Sequence, residues 1–267
     1  MKLQGAVCIV TGAGTGAGAA CAIQLAKKGC RVAINYSRSE TEAKATLKAC
    51  EAAGSEAILV KADVAVDAEC RMLAQTALER WGRIDALINN AGITKFAAAS
   101  DLDALDAEDF QRLYAVNVIG AYQMIRACAP AMKQRESASV VNISSISGVM
   151  GIGSSTAYVA SKGALNAMTL ALARALAPTI RVNAVCPGLI ETRWHTQRYT
   201  PEEYAKFKAN YEKTVPLAKA ATPDDVAEVA IWLLEGAALV TGETIMVDAG
   251  LHLGKFLRPR IQEETGR

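Results

Sequence analysis

Tyr158 and Lys162 stand four residues apart, and thirteen residues before the tyrosine the chain reads Asn142-Ile143-Ser144-Ser145. On a helix, positions i and i+4 share a face, so a phenol and an ammonium would lie side by side. A tyrosine with its unperturbed pKa of ~10 is a poor acid or base near neutrality. A neighbouring cation is expected to favour the phenolate and bring that pKa toward the working range. A serine hydroxyl within reach would add a hydrogen bond to whatever oxygen accepts the proton. The same spacing also arises as a solvated Tyr/Lys pair on any helix, so the weight of the reading rests on context.

That context begins near the N-terminus. An apolar run, Val7 to Val10, leads into Thr11-Gly12-Ala13-Gly14-Thr15-Gly16-Ala17-Gly18 and then into an Ala-rich helical stretch from Ala19 to Lys28. Strand, glycine turn and helix in this order form an anion site. The glycines permit a tight turn and close backbone approach, while the free amides and positive end of the helix stabilise a pyrophosphate.

Elements that must position these groups are legible as short, continuously apolar runs: Val7 to Val10, Arg31 to Ile34, Ala57 to Val60, Ala86 to Ile88, Val140 to Ile143, Ile180 to Val185 and Thr244 to Val247. Continuous rather than alternating apolarity predicts strands covered by helices on both faces, hence an α/β, doubly wound parallel sheet of seven strands. Intervening helices are predicted from Glu40 to Ala53 and from Asp67 to Trp81, stopped by Gly54 and Gly82. No proline-rich linker, long polar tract or repeat divides the chain. One dinucleotide-binding and catalytic domain is expected over residues 1–253, with a tail over 254–267.

The spacing Thr-Gly-x-x-x-Gly-x-Gly, followed in order by Asp63-Val64, Asn89-Asn90-Ala91-Gly92, the Ser145/Tyr158/Lys162 set and Pro187-Gly188, resembles the short-chain dehydrogenase/reductase family over roughly residues 5–253. The resemblance implies a Rossmann-type fold, a nicotinamide dinucleotide and hydride transfer to or from a carbonyl or alcohol. It implies Tyr158 as proton donor, Ser145 on the substrate oxygen, and Lys162 on both phenol and nicotinamide ribose. Asn117, in Tyr114-Ala115-Val116-Asn117-Val118, would hold a water linking Lys162 to solvent; Ser144 is assigned to structure. Cofactor contacts are implied at Gly12, Thr15, Gly16 and Gly18, at Asp63 and Val64 near the adenine, and at Asn90, Ala91 and Gly92 near the ribose. Pro187, Gly188, Ile190 and Thr192 are implied at the nicotinamide end. For Asn89 and Asn90, a polar tie between strands stands equally as a reading.

The coenzyme should be NADP(H) rather than NAD(H). The second strand ends Asn35-Tyr36-Ser37-Arg38-Ser39, without the acidic residue that would hold ribose hydroxyls. Ser37, Arg38 and Ser39 offer a cation and hydroxyls suited to a 2′-phosphate. Against this stand the alternative of Arg38 as a solvated residue and the neutral Thr15 in the turn, where a basic residue is common in NADP users. Candidate substrate contacts are Thr94, Phe96, Ser147, Met150 and Trp194. Large side chains from Trp194 to Tyr211 would form a lid, or serve only to dock a helix.

Composition narrows the remaining choices. Twenty-nine basic and 27 acidic residues are interspersed, for a net charge of +2, so no broad field attracts nucleic acid or an anionic membrane. Residues 3–26 carry no charge, but the glycines within make them strand, turn and helix, not a membrane span or a secretory signal. Seven cysteines without a CxxC pair fit a reducing cytoplasm, and two histidines with no clustered thiols give no zinc spacing. The expected partner is a small or medium-sized carbonyl or alcohol, in a homotetramer. Three other readings compete. The Asn-Ile-Ser-Ser and Val247-Asp248-Ala249-Gly250 segments look like those of ketoacyl-acyl-carrier-protein reductases. A dinucleotide-binding regulator needs only the glycine turn, and an oligomeric scaffold would use the apolar face of residues 163–176.

Overall fold

The protein was analysed as a computed structural model, which describes residues 1–254; Lys255 to Arg267, most of the anticipated tail, lie outside the described residues. Seven strands form one fully parallel sheet in the order β3-β2-β1-β4-β5-β6-β7. They are β1 (Val7–Val10), β2 (Arg31–Tyr36), β3 (Ala57–Lys61), β4 (Ala86–Asn89), β5 (Ala138–Ile143), β6 (Ile180–Pro187) and β7 (Thr244–Val247). Their order reverses between β1 and β4, the place where a doubly wound sheet opens a crevice at the carboxyl ends of its strands.

Alternate strand residues serve two separate apolar layers. Cys8, Val10, Val32, Ile34 and Val141 face one layer with α1 (Gly16–Lys27) and the later helix α10 (Pro223–Glu235). Ile9, Ala33, Leu87 and Val140 face the other, where α3 (Asp67–Trp81) and α5 (Ala121–Met132) pack. Because both faces are covered, period-two polarity disappears from the sequence and the strands read as apolar blocks.

The predicted boundaries shift in three places. Helix α1 begins at Gly16, not Ala19, because Gly16 takes φ +57° and completes the turn itself, so Ala17 and Gly18 are already helical. Strand β2 continues through Asn35 and Tyr36, paired with Val60 and Lys61. Helix α2 (Glu40–Ala52) closes one residue early, whereas α3 ends at Gly82 in the left-handed conformation, as its glycine stop requires.

Three further features bear on the site. Helix α4 (Ala107–Tyr114) runs into α5 through a π-helical turn over Ala115–Gly120, an irregularity that re-aims side chains within a continuous helix. The short α6 (Ser147–Met150) packs on the long α7 (Thr156–Leu176), and α8 (Arg193–Thr196) with α9 (Pro201–Thr214) lies beyond β6. Among the described residues no helix is long and apolar enough to cross a membrane.

Candidate active site

The glycine turn is fastened from behind by polar side chains. Asn35, fully buried in β2, accepts the Gly12 amide through Oδ1 at 3.1 Å and donates through Nδ2 to Ala62 O at 2.9 Å and Val60 O at 3.3 Å. Thr11 Oγ1 accepts the amides of Asn90 and Ala91, each at 3.0 Å, and Asn90 Nδ2 returns bonds of 3.0 Å to the carbonyls of Thr11 and Gly12. Asn89 donates to Asn142 Oδ1 at 2.9 Å, joining β4 to β5. Both asparagines therefore serve as ties between strands. Asn35 carries no motif signal, and only its position at the end of an apolar run could have flagged it.

This frame fits a dinucleotide. A Cβ at Gly12 would stand 2.9 Å from Ala91 Cα and one at Gly18 only 2.3 Å from Asn90 Nδ2, so the close approach is open to glycine alone. Thr15, the N-cap of α1, makes no side-chain cap, and the first turn holds no acidic residue, which leaves the leading amides to an anion. Ser37 and Arg38 are exposed at the end of β2, with Ser39 half-buried beside them. Asp63 accepts the Ala65 amide at 3.0 Å while Val64 is buried against Gly120 of the π-turn. Pro187 and Gly188 close β6, and a Cβ at Gly188 would lie 2.6 Å from Tyr211 Oη. Ile190 bridges to Ala221, and the Thr192 methyl reaches 3.3 Å from the position a Cβ at Gly16 would occupy.

The proton-transfer residues converge at the same end of the sheet. Ser155 caps α7 by accepting the Tyr158 amide at 3.2 Å, which sets Tyr158 in the first turn and Lys162 one turn on. Lys162 Nζ donates to Ile143 O at 2.9 Å and lies 5.7 Å from the centroid of the Tyr158 ring. Ser145 Oγ donates to Ser147 Oγ at 3.0 Å and accepts the Ser147 amide at 3.1 Å. Ser144 Oγ donates to Lys162 O at 3.3 Å, the structural use assigned to it. From the π-turn, Asn117 Nδ2 donates to Ile93 O and Ser161 Oγ, both at 3.0 Å, and Oδ1 accepts the Ile93 amide at 2.9 Å. Ser161 in turn donates to Tyr158 O at 2.8 Å, a link the sequence did not suggest.

One expectation needs correcting. The Lys162 cation does not bring the phenol toward neutrality. Burial pushes Tyr158 up to about 12, against a hydrogen bond with Ser145 that pulls it down, and burial drives Lys162 down to about 8. Desolvation wins because both groups are buried, and at this separation the ammonium spends its hydrogen bond on a main-chain oxygen. Tyr158 is thus held as a phenol, the form that donates.

The substrate candidates surround this pair. Trp194 sets its ring edge to Tyr158, with centroids 6.1 Å apart and planes at 73°. Thr94 is hydrogen-bonded to Ser154, and Phe96 lies under the Arg198 guanidinium, 3.6 Å from ring centre to Cζ. Ser147 touches Ser145 directly, and half-buried Met150 ends α6.

Comparison with known proteins gives the same reading over nearly the whole chain. A family profile described as enoyl-(acyl carrier protein) reductase matches residues 12–252. The chain belongs to the short-chain dehydrogenase/reductase family. It is 40% identical over 247 residues to a Streptomyces violaceoruber protein named as ketoacyl reductase 2 of the granaticin polyketide synthase, covering 92% of this chain and 96% of that one. It is 36% identical over 252 residues to a 3-oxoacyl-[acyl-carrier-protein] reductase of Synechocystis, covering 93% and 98%. A crystal structure from Burkholderia xenovorans, carried under the name short-chain dehydrogenase/reductase, superposes with a TM-score of 0.88 at 40% identity, over 94% and 99% of the two chains. Like other members of this family, the chain is an oxidoreductase fold that binds a nicotinamide dinucleotide.

Proposed function

We propose that this short-chain dehydrogenase/reductase is an NADP(H)-dependent enzyme interconverting a small or medium-sized free carbonyl compound and its secondary alcohol. The observation that carries the reading is the convergence of Ser145, Tyr158 and Lys162 at the mouth of the glycine-turn crevice, with the phenol held protonated by burial. When bound, the reduced nicotinamide supplies a hydride to the carbonyl carbon. Tyr158 gives its proton to the oxygen as charge develops there, and Ser145 donates a hydrogen bond to the same oxygen. Ser147, which accepts the Ser145 hydroxyl and donates its own amide to it, aims that hydroxyl.

Lys162 and Asn117 resupply the proton. A Cβ at Gly92 would stand 3.4 Å from Asn117 Oδ1 and 3.7 Å from Lys162 Nζ, so these two atoms flank one point beside the backbone. A water there would donate to Asn117 and accept from Lys162, connecting the lysine outward. Both Asn117 amide protons are already used, so its contribution to the relay is the remaining acceptor site on Oδ1.

Tyr36 stands where an acidic residue would favour NAD, and exposed Arg38 supports NADP. Seven free, buried cysteines support a reducing cytoplasm. The names of the relatives favour a second reading, in which the carbonyl is a ketoacyl group carried on an acyl carrier protein. Docking that acidic partner needs free cations near the entrance. Three cations suited to it are paired here: Arg135 lies 3.1 Å from Asp85, Lys95 is paired with Asp109, and Arg193 lies 2.9 Å from Glu42. The free-carbonyl reading is therefore preferred. A nicotinamide absorbance assay over a panel of ketones and alcohols, run with both coenzymes, tests it. NADPH should be oxidised with free ketones at higher kcat/KM than NADH. Turnover confined to carrier-borne ketoacyl groups, with an advantage that salt abolishes, would contradict the substrate assignment, and a preference for NADH would contradict the coenzyme.

A further inference from the structure

We infer that Arg193 is a nucleotide-specificity residue, the second cation of the 2′-phosphate subsite, and that Glu42 is the carboxylate from which a phosphate takes it. This rests on the NADP reading above and extends it to a residue 155 positions from Arg38, on the lid side of the crevice. Arg193 opens α8, directly after Thr192, whose methyl overlies Gly16. Its side chain then reaches across the glycine turn. Nη2 donates to Ser39 Oγ at 2.6 Å and Nη1 to Glu42 Oε1 at 2.9 Å. Ser39 is itself against the turn, with its carbonyl 3.1 Å from the position of a Cβ at Gly14.

The charges at the start of α2 explain why this contact is exchangeable. Glu40 is held by Lys44 at 2.7 Å, with Lys61 acting on it from β3, so Glu42 is the first-turn carboxylate that faces Arg193. The Arg193–Glu42 pair is substantially exposed on both sides, 39% and 47%, and such pairs contribute little to stability. A phosphate accepts two parallel bonds from a guanidinium and carries more charge than a carboxylate, so it wins that competition at short range. Ser39, already bonded to Arg193, would then share one anion with Arg193 and Arg38. Because Trp194 follows Arg193 and sets its edge to Tyr158, a phosphate gripped by Arg193 also steadies the side chain at the reacting end.

The test uses the intact protein and two probes that differ only by the 2′-phosphate, adenosine 2′,5′-bisphosphate and adenosine 5′-monophosphate, with affinities read by calorimetry. Wild type should bind the bisphosphate more tightly. Arg193→Leu should lower the bisphosphate-to-monophosphate affinity ratio about tenfold, the worth of one charge-assisted pair, with the monophosphate unaffected. Glu42→Gln should raise the ratio, an effect in the opposite direction that no unfolding could imitate. If Arg38→Leu collapses the ratio while Arg193→Leu and Glu42→Gln leave it unchanged, the assignment of Arg193 is wrong and the coenzyme reading stands. Equal loss of both probes in Arg193→Leu also overturns it. A wild-type ratio of one removes the coenzyme reading, and Arg193 with it.

Discussion

Burial acts on Tyr158 and Lys162 in opposite directions, and the pH dependence follows from that. The phenol, raised to about 12, stays protonated through the working range, so it does not set a limb of the profile. The lysine, lowered to about 8, loses its proton within it. Carbonyl reduction should therefore fall as pH rises through about 8, and Lys162→Met should lower turnover, weaken nucleotide binding and abolish that limb; a persisting limb would assign it to another group. The same shift predicts stability. A lysine whose folded pKa lies below its unfolded value is destabilising, fully so below about 8 and progressively less as pH rises to 10.5. Replacing it with methionine should thus raise the melting temperature at pH 7, by an amount on the order of 1–3 kcal/mol, even as activity is lost. A lowered melting temperature would show that the Ile143 and Tyr158 contacts outweigh desolvation. Beside it, Gly92→Ala adds a methyl at van der Waals distance from both Asn117 Oδ1 and Lys162 Nζ. It should fold normally yet lose about tenfold in kcat by filling the relay point; unchanged kcat with normal stability would remove the proposed water path.

At the scale of elements, the sequence was most legible where one physical cause acted alone. Strands buried on both faces appear as apolar blocks, and Val7–Val10 and Thr244–Val247 carry the predicted limits. A glycine in the left-handed region ends α3 at the predicted residue. Strand β2 was read short because buried Asn35 breaks the apolar run, although its polarity is satisfied by Gly12 and Ala62. Ser145, Tyr158 and Lys162 were legible as a spacing; their pKa values were not, since desolvation depends on packing from other elements. Arg193 was invisible as a nucleotide contact, because its partners are Ser39 and Glu42, more than 150 residues away. Packing between α6 and α7 gives a prediction of its own. A Cβ at Gly148 would stand 2.4 Å from Lys162 C and 2.6 Å from Gly163 N, both main-chain atoms that cannot rotate away. Gly148→Ala should lower stability by about 1–3 kcal/mol through overpacking and reduce turnover more than nucleotide affinity, because Ser145 and Ser147 shift with α6. Denaturant unfolding and nucleotide titration check both parts, and an unaltered midpoint would contradict the close approach.

For the whole molecule, exposed apolar side chains point to assembly. Leu170 on α7 is 57% exposed, with Ile119 on the π-turn and Tyr122 on α5 at 48% and 43%. The proposed homotetramer would cover this face. Leu170→Glu should then yield a smaller species in sedimentation velocity, and an unchanged one would place the interface elsewhere. The account's central claim concerns a single proton. If Tyr158 is its donor, Tyr158→Phe retains the ring against Trp194 and Lys162 but removes the hydroxyl. Steady-state turnover of a responsive ketone should fall by about three orders of magnitude or more, while NADPH binding measured on the same preparation stays within about threefold of wild type. Turnover within about tenfold of wild type, with binding intact, would contradict the assignment of Tyr158 as the acid.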